Sequence, residues 1–308
     1  MRMKLGIHCW ALPPQMTIEE KIRFAARIGF DGIELSITDD GPLSFDAPHS
    51  SRERIRKVAN DYGIVIHSLT CSLNWQCSLT SNEKKHREKA MDNLRRQIDI
   101  ASEIDCEAIL ALPGFVGLDF KTNDLFDDPN TQSYFPGVEV IDYSLAYERS
   151  LNAFKSIASY AETSKVLVCV ENIWNKFLLS PLEFKRFLDE IASPNIKFYL
   201  DVGNLMAWGY PDHWIRTLES RIGRVHLKDY RRGSSGLSGF VGLLDGDVDF
   251  RLVRHTLEEV GYDGWVTAEV NANRQYPELT SIYCLLVMKT IFGYPSDHLF
   301  PDYQKERI

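Results

Sequence analysis

Short apolar runs of strand length alternate with longer segments of helical periodicity along nearly the whole chain. Residues 4–9 predict a first strand. Thr17 caps the helix that follows, with Glu20 completing a capping box and Gly29 closing it. Residues 32–37 (GIELSI) predict a second strand, residues 51–62 a charged amphipathic helix broken by Gly63, and residues 64–70 (IVIHSLT) a third strand. A long helix over 82–104 precedes a fourth strand at 108–112, stopped by Pro113-Gly114. Residues 115–142 then lack periodicity and are rich in Asp, Asn, Pro and Gly, the character of a lid or a subunit contact. The second half resumes the alternation with a helix at 143–162, a strand at 166–170 and a helix at 180–191 that has Ser180 as cap and Pro181 at its first position. Strands at 196–200 and 222–227 flank a helix-length polar segment. A helix at 250–260, a strand at 265–270 and a last helix at about 277–292 complete the pattern.

Eight strand-then-helix units predict a single closed (β/α)8 TIM barrel over residues 1–295, followed by a polar tail, 296–308. A doubly wound open sheet is the alternative, and it would carry a glycine-rich phosphate loop after its first strand. Here that loop reads Trp10-Ala11-Leu12-Pro13-Pro14. In barrels of this kind the carboxyl edge of the strands carries the active site. Glu171, Asp201, His226 and Glu269 fall at the ends of strands five to eight. One acidic residue at a strand end usually caps a loop or pairs with a cation. Three carboxylates and a neutral imidazole on four consecutive strands make a hard site for one divalent ion, Mn2+, Mg2+, Zn2+ or Co2+.

Composition narrows the field. The formal net charge of −8 argues against a nucleic-acid partner, which calls for a basic face. Six cysteines are scattered without the paired spacing of a zinc site, which in a chain of 308 residues reads as reduced, intracellular thiols. The N-terminal MRMKLGIHCWALPP has no signal-peptide core, and no run approaches the roughly 18 apolar residues that span a membrane. The expected location is the cytoplasm.

The segments VCVENIWN, FYLDVGNLMAWG, RVHLKDY, LLDGDVDF and YDGWVTAEVN resemble the xylose-isomerase-like sugar isomerase and epimerase superfamily. Within it they are most similar to the L-ribulose-5-phosphate (or L-xylulose-5-phosphate) 3-epimerase group, also known as hexulose-6-phosphate isomerases. The resemblance implies a (β/α)8 barrel, a sugar or sugar-phosphate substrate, and one divalent ion on the residues matching Glu171, Asp201, His226 and Glu269. It also implies, by analogy, a homodimer or homotetramer. A metal chelating a ketone oxygen and the neighbouring hydroxyl would stabilise the enediolate left by loss of the α-proton. Glu171 and Glu269, on well-separated strands, are the acid/base pair: one removes the proton and the other returns one to the opposite face. That outcome is 3-epimerisation; return to the adjacent carbon gives aldose–ketose isomerisation, and loss of a β-hydroxyl gives a dehydratase. Endonuclease IV–like nucleases share the barrel but need further rim histidines, whereas His86 and His255 fall in helices and His49, His213 and His298 in loops or helix starts. A non-catalytic sugar-binding barrel would not need both carboxylates.

Substrate contacts are expected from a second set. Glu34 is read as ending the second strand, with a salt bridge under the rim as its structural alternative. His8 and His67 lie inside strands, where a histidine is either a satisfied core residue or a contact. Asn204 stands where some related free-ketose 3-epimerases have a histidine. Lys228, two past His226, faces the same rim by strand alternation. Arg231 and Arg232 are candidate clamps for a phosphate or carboxylate. Trp10, Trp75 and Trp174 lie in loops that can wall a sugar. The segment NWQCSLTSNE around Trp75 has no basic residue until Lys84, where the phosphate-sugar enzymes tend to carry them.

Overall fold

The computed structural model describes residues 2–118, 139–234 and 236–295. Most of the expected loop at 115–142, and the whole tail 296–308, lie outside the described residues. The strands are β1 (Lys4–His8), β2 (Gly32–Ile37), β3 (Val65–Cys71), β4 (Ala108–Ala111), β5 (Leu167–Glu171), β6 (Ile196–Asp201), β7 (Ile222–Leu227), β8 (Asp229–Tyr230), β9 (Phe240–Val241) and β10 (Trp265–Ala268). β1 to β7 pair in parallel in chain order, and β10 closes the barrel between β7 and β1. β8 and β9 form a separate antiparallel pair above the barrel. The helices are α1 (Ile18–Ile28), α2 (His49–Tyr62), α3 (Lys84–Glu103), α4 (Tyr143–Ser164), α5 (Pro181–Ile191), α6 (Val202–Leu205), α7 (Pro211–Leu218), α8 (Phe250–Glu259) and α9 (Pro277–Phe292).

The eight expected strands and the closed barrel are all present, with ends that move by a residue or two. Thr17 and Glu20 form the expected capping box on α1, and Gly29 takes the left-handed conformation after it. Two local readings change. The polar segment before β7 breaks into α6 and α7, because Gly209 and Pro211 interrupt any continuous helix. The β8–β9 pair was not expected, since two-residue strands carry no periodic signal.

Outward-facing strand residues pack on the helices. Phe198 of β6 meets Phe184 of α5 at 4.6 Å and Trp214 of α7 at 5.7 Å, ring centre to ring centre. The amino end of the barrel is plugged: the Trp265 ring stacks on His67 at 4.5 Å, and Glu107 accepts from both Trp265 Nε1 and Arg224. Glycine is required beside this plug, because a Cβ on Gly6 would lie 2.5 Å from His67 Nε2, and one on Gly32 2.5 Å from the Trp265 ring. All six cysteines are free and buried, and burial pushes their thiols up, Cys9, Cys71, Cys106 and Cys284 to about 12 and Cys77 and Cys169 to about 11. Among the described residues no helix is long and apolar enough to cross a membrane. With the amino end filled, the carboxyl end is where a ligand can enter.

Candidate metal centre and its cavity

Glu171 and Asp201 are the last residues of β5 and β6, His226 is the penultimate residue of β7, and Glu269 directly follows β10. Side chains alternate along a strand, so these residues all turn toward the barrel axis at its upper rim. One ligand atom from each lies within 4.8 Å of the others, and all four residues are buried. The sequence reading therefore assembled a real cluster.

The Asn172 side chain fixes the height of Asp201. Its Oδ1 accepts from Asp201 N at 2.8 Å and its Nδ2 donates to Asp201 O at 2.9 Å, which ties β5 to β6. Asp201 Oδ1 accepts from Asn204 N and caps α6, leaving Oδ2 to face the centre. His226 is wholly buried and divides its two ring nitrogens. Nδ1 faces Glu269 Oε2 at 2.6 Å, Glu171 Oε1 at 3.3 Å and Asp201 Oδ2 at 4.0 Å. Nε2 faces Glu34 Oε2 at 2.6 Å, and Tyr199 OH donates to Glu34 Oε1 at 2.9 Å. A carboxylate behind a ligating imidazole, holding its far nitrogen, is the usual support for a metal-bound histidine.

Charge is concentrated here. Burial pushes Glu171 up to about 7, with Glu269 adding to the rise and His226 opposing it. Burial likewise raises Asp201. Burial would also raise Glu269 and Glu34, but the facing His226 outweighs it: Glu269 is held well below the usual carboxylate range and Glu34 at about 2. His226 is held well above its ordinary value, because Glu269 and Glu34 outweigh its burial. Lys228 Nζ lies 3.0 Å from Asp201 Oδ2 and 2.8 Å from Glu269 Oε2. Those two oxygens are nonetheless buried without a well-directed hydrogen bond. Proximity without alignment supplies charge but not satisfaction. A divalent cation among oxygen and imidazole donors would supply both, so the residues present fit the expected group.

Above the cluster opens a cavity of about 800 Å3 lined by Glu171, Glu269, Lys228, Asn204 and Trp174, with Trp10 and Trp75 among its other walls. Asn204 is held by its Nδ2, which donates to Asn172 O, and Trp174 Nε1 donates to Asn204 O. Other expected contacts lie elsewhere. Glu34 does not end β2: three strand residues follow it, and it is fully buried beneath His226, outside the cavity lining. His8 is also one layer down, with Nε2 3.3 Å from Thr70 Oγ1 and Nδ1 accepting from Trp10 N. His67 belongs to the plug and lies 3.2 Å from Thr267 Oγ1. Arg231 Nε donates to Asp245 O, and Arg232 donates to Gly209 O while its guanidinium covers the Tyr210 ring. These two arginines staple the rim loop and do not line the cavity.

The sequence reading missed Asn172, Tyr199 and Asp229. Tyr199 stands two before Asp201 and so on the same inward face, a signal that alternation does carry. Asp229 accepts from the backbone N–H of Tyr230, Gly246 and Val248 and folds the β8–β9 loop against the rim.

Residues 22–283 match the family described as xylose isomerase-like TIM barrel. A Haemophilus influenzae protein provisionally named L-ribulose-5-phosphate 3-epimerase SgbU is 27% identical over 288 residues, 91% of this chain and 92% of its own. The L-ribulose-5-phosphate 3-epimerase UlaE of Escherichia coli strain SMS-3-5 is 23% identical over 85% of each chain. Among solved structures, L-ribulose 3-epimerase superposes with a TM-score of 0.75 at 17% identity, over 94% of this chain and 95% of that one. D-Psicose 3-epimerase from Clostridium cellulolyticum H10, with D-tagatose, gives 0.74 at 17% identity, over 94% and 99%. Both structures share the fold. All four proteins are named as sugar epimerases, the isomerase class expected from the sequence. With the matched span running through all four clustered residues, the chain belongs to the xylose isomerase-like TIM barrel family.

Proposed function

We propose that this protein is a divalent-metal-dependent epimerase that inverts the carbon beside the ketone of a ketose or ketose phosphate, carbon 3 in the numbering of the sugar. The observation that carries the proposal is the convergence of Glu171, Asp201, His226 and Glu269 at the floor of a ligand-sized cavity. Within it only the two glutamates keep some exposure, 5% and 6%, while Asp201 and His226 have none. Two carboxylates that reach the cavity and two donors that do not divide the work between proton transfer and anchoring. The names of the sequence relatives support the sugar-phosphate class.

A divalent ion, Mn2+, Mg2+, Zn2+ or Co2+, would be held by these four residues and would supply Lewis acidity toward the ketone oxygen. The chain does the rest. Glu171 and Glu269 approach from β5 and from the end of β10, with β6 and β7 between them. One takes the proton from the sugar carbon and the other delivers a proton to the opposite face. Which acts first depends on the epimer bound. Asn204, Lys228 and Trp174 orient the sugar from the rim. In this reading residues 1–295 are one catalytic domain working in the cytoplasm.

The test is proton NMR in D2O with Zn2+- or Mg2+-loaded protein and a panel of free ketoses, ketose phosphates and keto-glycosides. Deuterium entering at the carbon beside the ketone, with a new epimer, is the expected outcome. Deuterium at carbon 1 or 2 with an aldose appearing would make the protein an aldose–ketose isomerase, and loss of water would make it a dehydratase. Glu171→Gln and Glu269→Gln should each abolish exchange in a protein with an unchanged circular dichroism spectrum. An active variant removes that residue from the chemistry.

A further inference from the structure

We infer that Asn172 is a positioning residue for both halves of the site: a closed circuit of hydrogen bonds through Asp201 and Asn204 lets it hold a metal ligand and the Trp174 wall of the cavity as one unit. The inference rests on the proposed metal centre and adds a residue behind it, since Asn172 is buried and does not line the cavity.

The circuit begins where a strand pairing ends. β5 and β6 pair as far as Glu171 with Tyr199, so Asp201 stands two residues beyond the last partner on that side. The Asn172 amide takes over there, with Oδ1 accepting from Asp201 N at 2.8 Å and Nδ2 donating to Asp201 O at 2.9 Å. A primary amide carries the same donor and acceptor as a peptide group, so this side chain stands in for the next stretch of β5. Asp201 Oδ1 in turn accepts from Asn204 N at 2.8 Å. Asn204 closes the circuit, its Nδ2 donating to Asn172 O at 3.0 Å. Each of the three side chains thus holds the backbone of the next residue. All three residues are buried, so opening any link strands a polar group away from water.

On the metal side, Asp201 has its backbone N, backbone O and Oδ1 all engaged, and only Oδ2 is turned to the other ligands. Glu171 directly precedes Asn172, so one residue sets the spacing between two of the four clustered carboxylate and imidazole groups. On the cavity side, Trp174 Nε1 donates to Asn204 O at 3.0 Å, which hangs the indole on the same circuit. That indole packs within 5.3 Å of Phe240, 5.4 Å of Tyr230 and 6.1 Å of Trp208. Buried side-chain networks with every member bonded act together, and their members are not independent. Asn172 therefore governs ion binding and the position of the wall without donating to either ion or sugar.

The test is a double-mutant cycle on the full chain, read by calorimetric titration of Zn2+ into metal-free protein. Asn172→Ala should weaken Zn2+ binding about 10–100-fold, the range for a residue that orients a ligand. Asn204→Ala opens the same circuit from the other side and should weaken Zn2+ about fivefold or more, although Asn204 is not one of the four clustered residues. The double variant should bind Zn2+ within about threefold of Asn172→Ala alone, because an open circuit has little more to lose. In Co2+-loaded protein the visible absorption bands should change in both single variants, which a loss of stability alone does not produce. The Trp174 contribution to near-UV circular dichroism, isolated by comparison with Trp174→Phe, should fall in Asn172→Ala without any metal. Asn172→Asp, which keeps the acceptor for Asp201 N and loses the donor to Asp201 O, carries the same cycle where the alanine variant does not fold. Zn2+ affinity within about twofold of the parent, or losses that multiply in the double variant, overturns the inference. Exchange in D2O separates the two claims. Coupled losses of Zn2+ affinity with no exchange on any sugar would sink the epimerase reading alone; exchange by the parent with multiplying losses would sink this inference alone.

Discussion

Replacing Glu34 by Gln probes the support behind the metal centre. Glu34 and His226 are both wholly buried, 2.6 Å apart, and Glu34 Oε1 accepts from Tyr199 OH at 2.9 Å. The amide is isosteric with the carboxylate. Its oxygen can accept from His226 Nε2–H while its NH2 turns to the Tyr199 oxygen, so both hydrogen bonds survive and only the negative charge goes. The loss therefore falls on the basicity and orientation of His226 rather than on packing. A support of this kind is worth about 10–100-fold in metal affinity, or about 1.4–2.7 kcal/mol. Calorimetric titration of Zn2+ into the metal-free variant should show that loss, with a melting curve close to the parent's. Tyr199→Phe is the control, since it keeps the charge but strands Oε1, costing about 1–3 kcal/mol of stability with little effect on affinity. An affinity for Glu34→Gln within about twofold of the parent would refute a supporting role for Glu34.

Metal binding should release protons, because burial raises Glu171 to about 7 and the surrounding carboxylates hold His226 well above its ordinary value. An ion needs both groups deprotonated, so affinity falls as pH falls and falls more steeply below about pH 7. Calorimetry in two buffers of different ionisation enthalpy should report one to two protons released per ion near pH ~6.5, and none released would contradict the assignment. Lys228→Met should lower the stability of the metal-free protein by about 3 kcal/mol, the low end for breaking a buried ion pair because the lysine keeps 21% of its side chain exposed. The same variant should gain more from added Zn2+ than the parent does, and a smaller gain would mean that Lys228 does not compete for the ligand oxygens. Gly6→Ala should cost about 1–3 kcal/mol or more in chemical denaturation, since its Cβ would meet His67 Nε2 at 2.5 Å and Thr267 Oγ1 at 2.8 Å inside the plug; a neutral result would show that the plug can yield.

How much was legible in the sequence follows from the range of each signal. Strand and helix periodicity is local, so all eight barrel strands could be read, and the residues ending strands five to eight came with them. The depth of an inward-facing residue is set by the stagger of the closed barrel, which is a global property. Glu34 therefore reads as a strand end, and His8 and His67 as either core or contact, although β2 runs on past Glu34 and His67 belongs to the plug at the amino end. Arg231 and Arg232 are long side chains whose direction depends on a loop fold that has no periodicity. Tyr199 was hidden for another reason: in an apolar run it looks like core, and only its neighbours give its hydroxyl a task.

The six buried thiols have a consequence for how the barrel opens. They are spread over the circuit, from Cys9 just after β1, through Cys71 at the end of β3 and Cys169 in β5, to Cys284 in α9. A thiol with its proton held this firmly and at most 8% of its residue exposed reacts readily only when its own sector comes apart. Labelling with a thiol reagent, read site by site in a mass spectrometer, would time the departure of each sector separately. The chain thus carries its own set of clocks. If bound metal ties β5, β6, β7 and the end of β10 into one unit, the Cys169 clock should slow far more than the Cys71 clock.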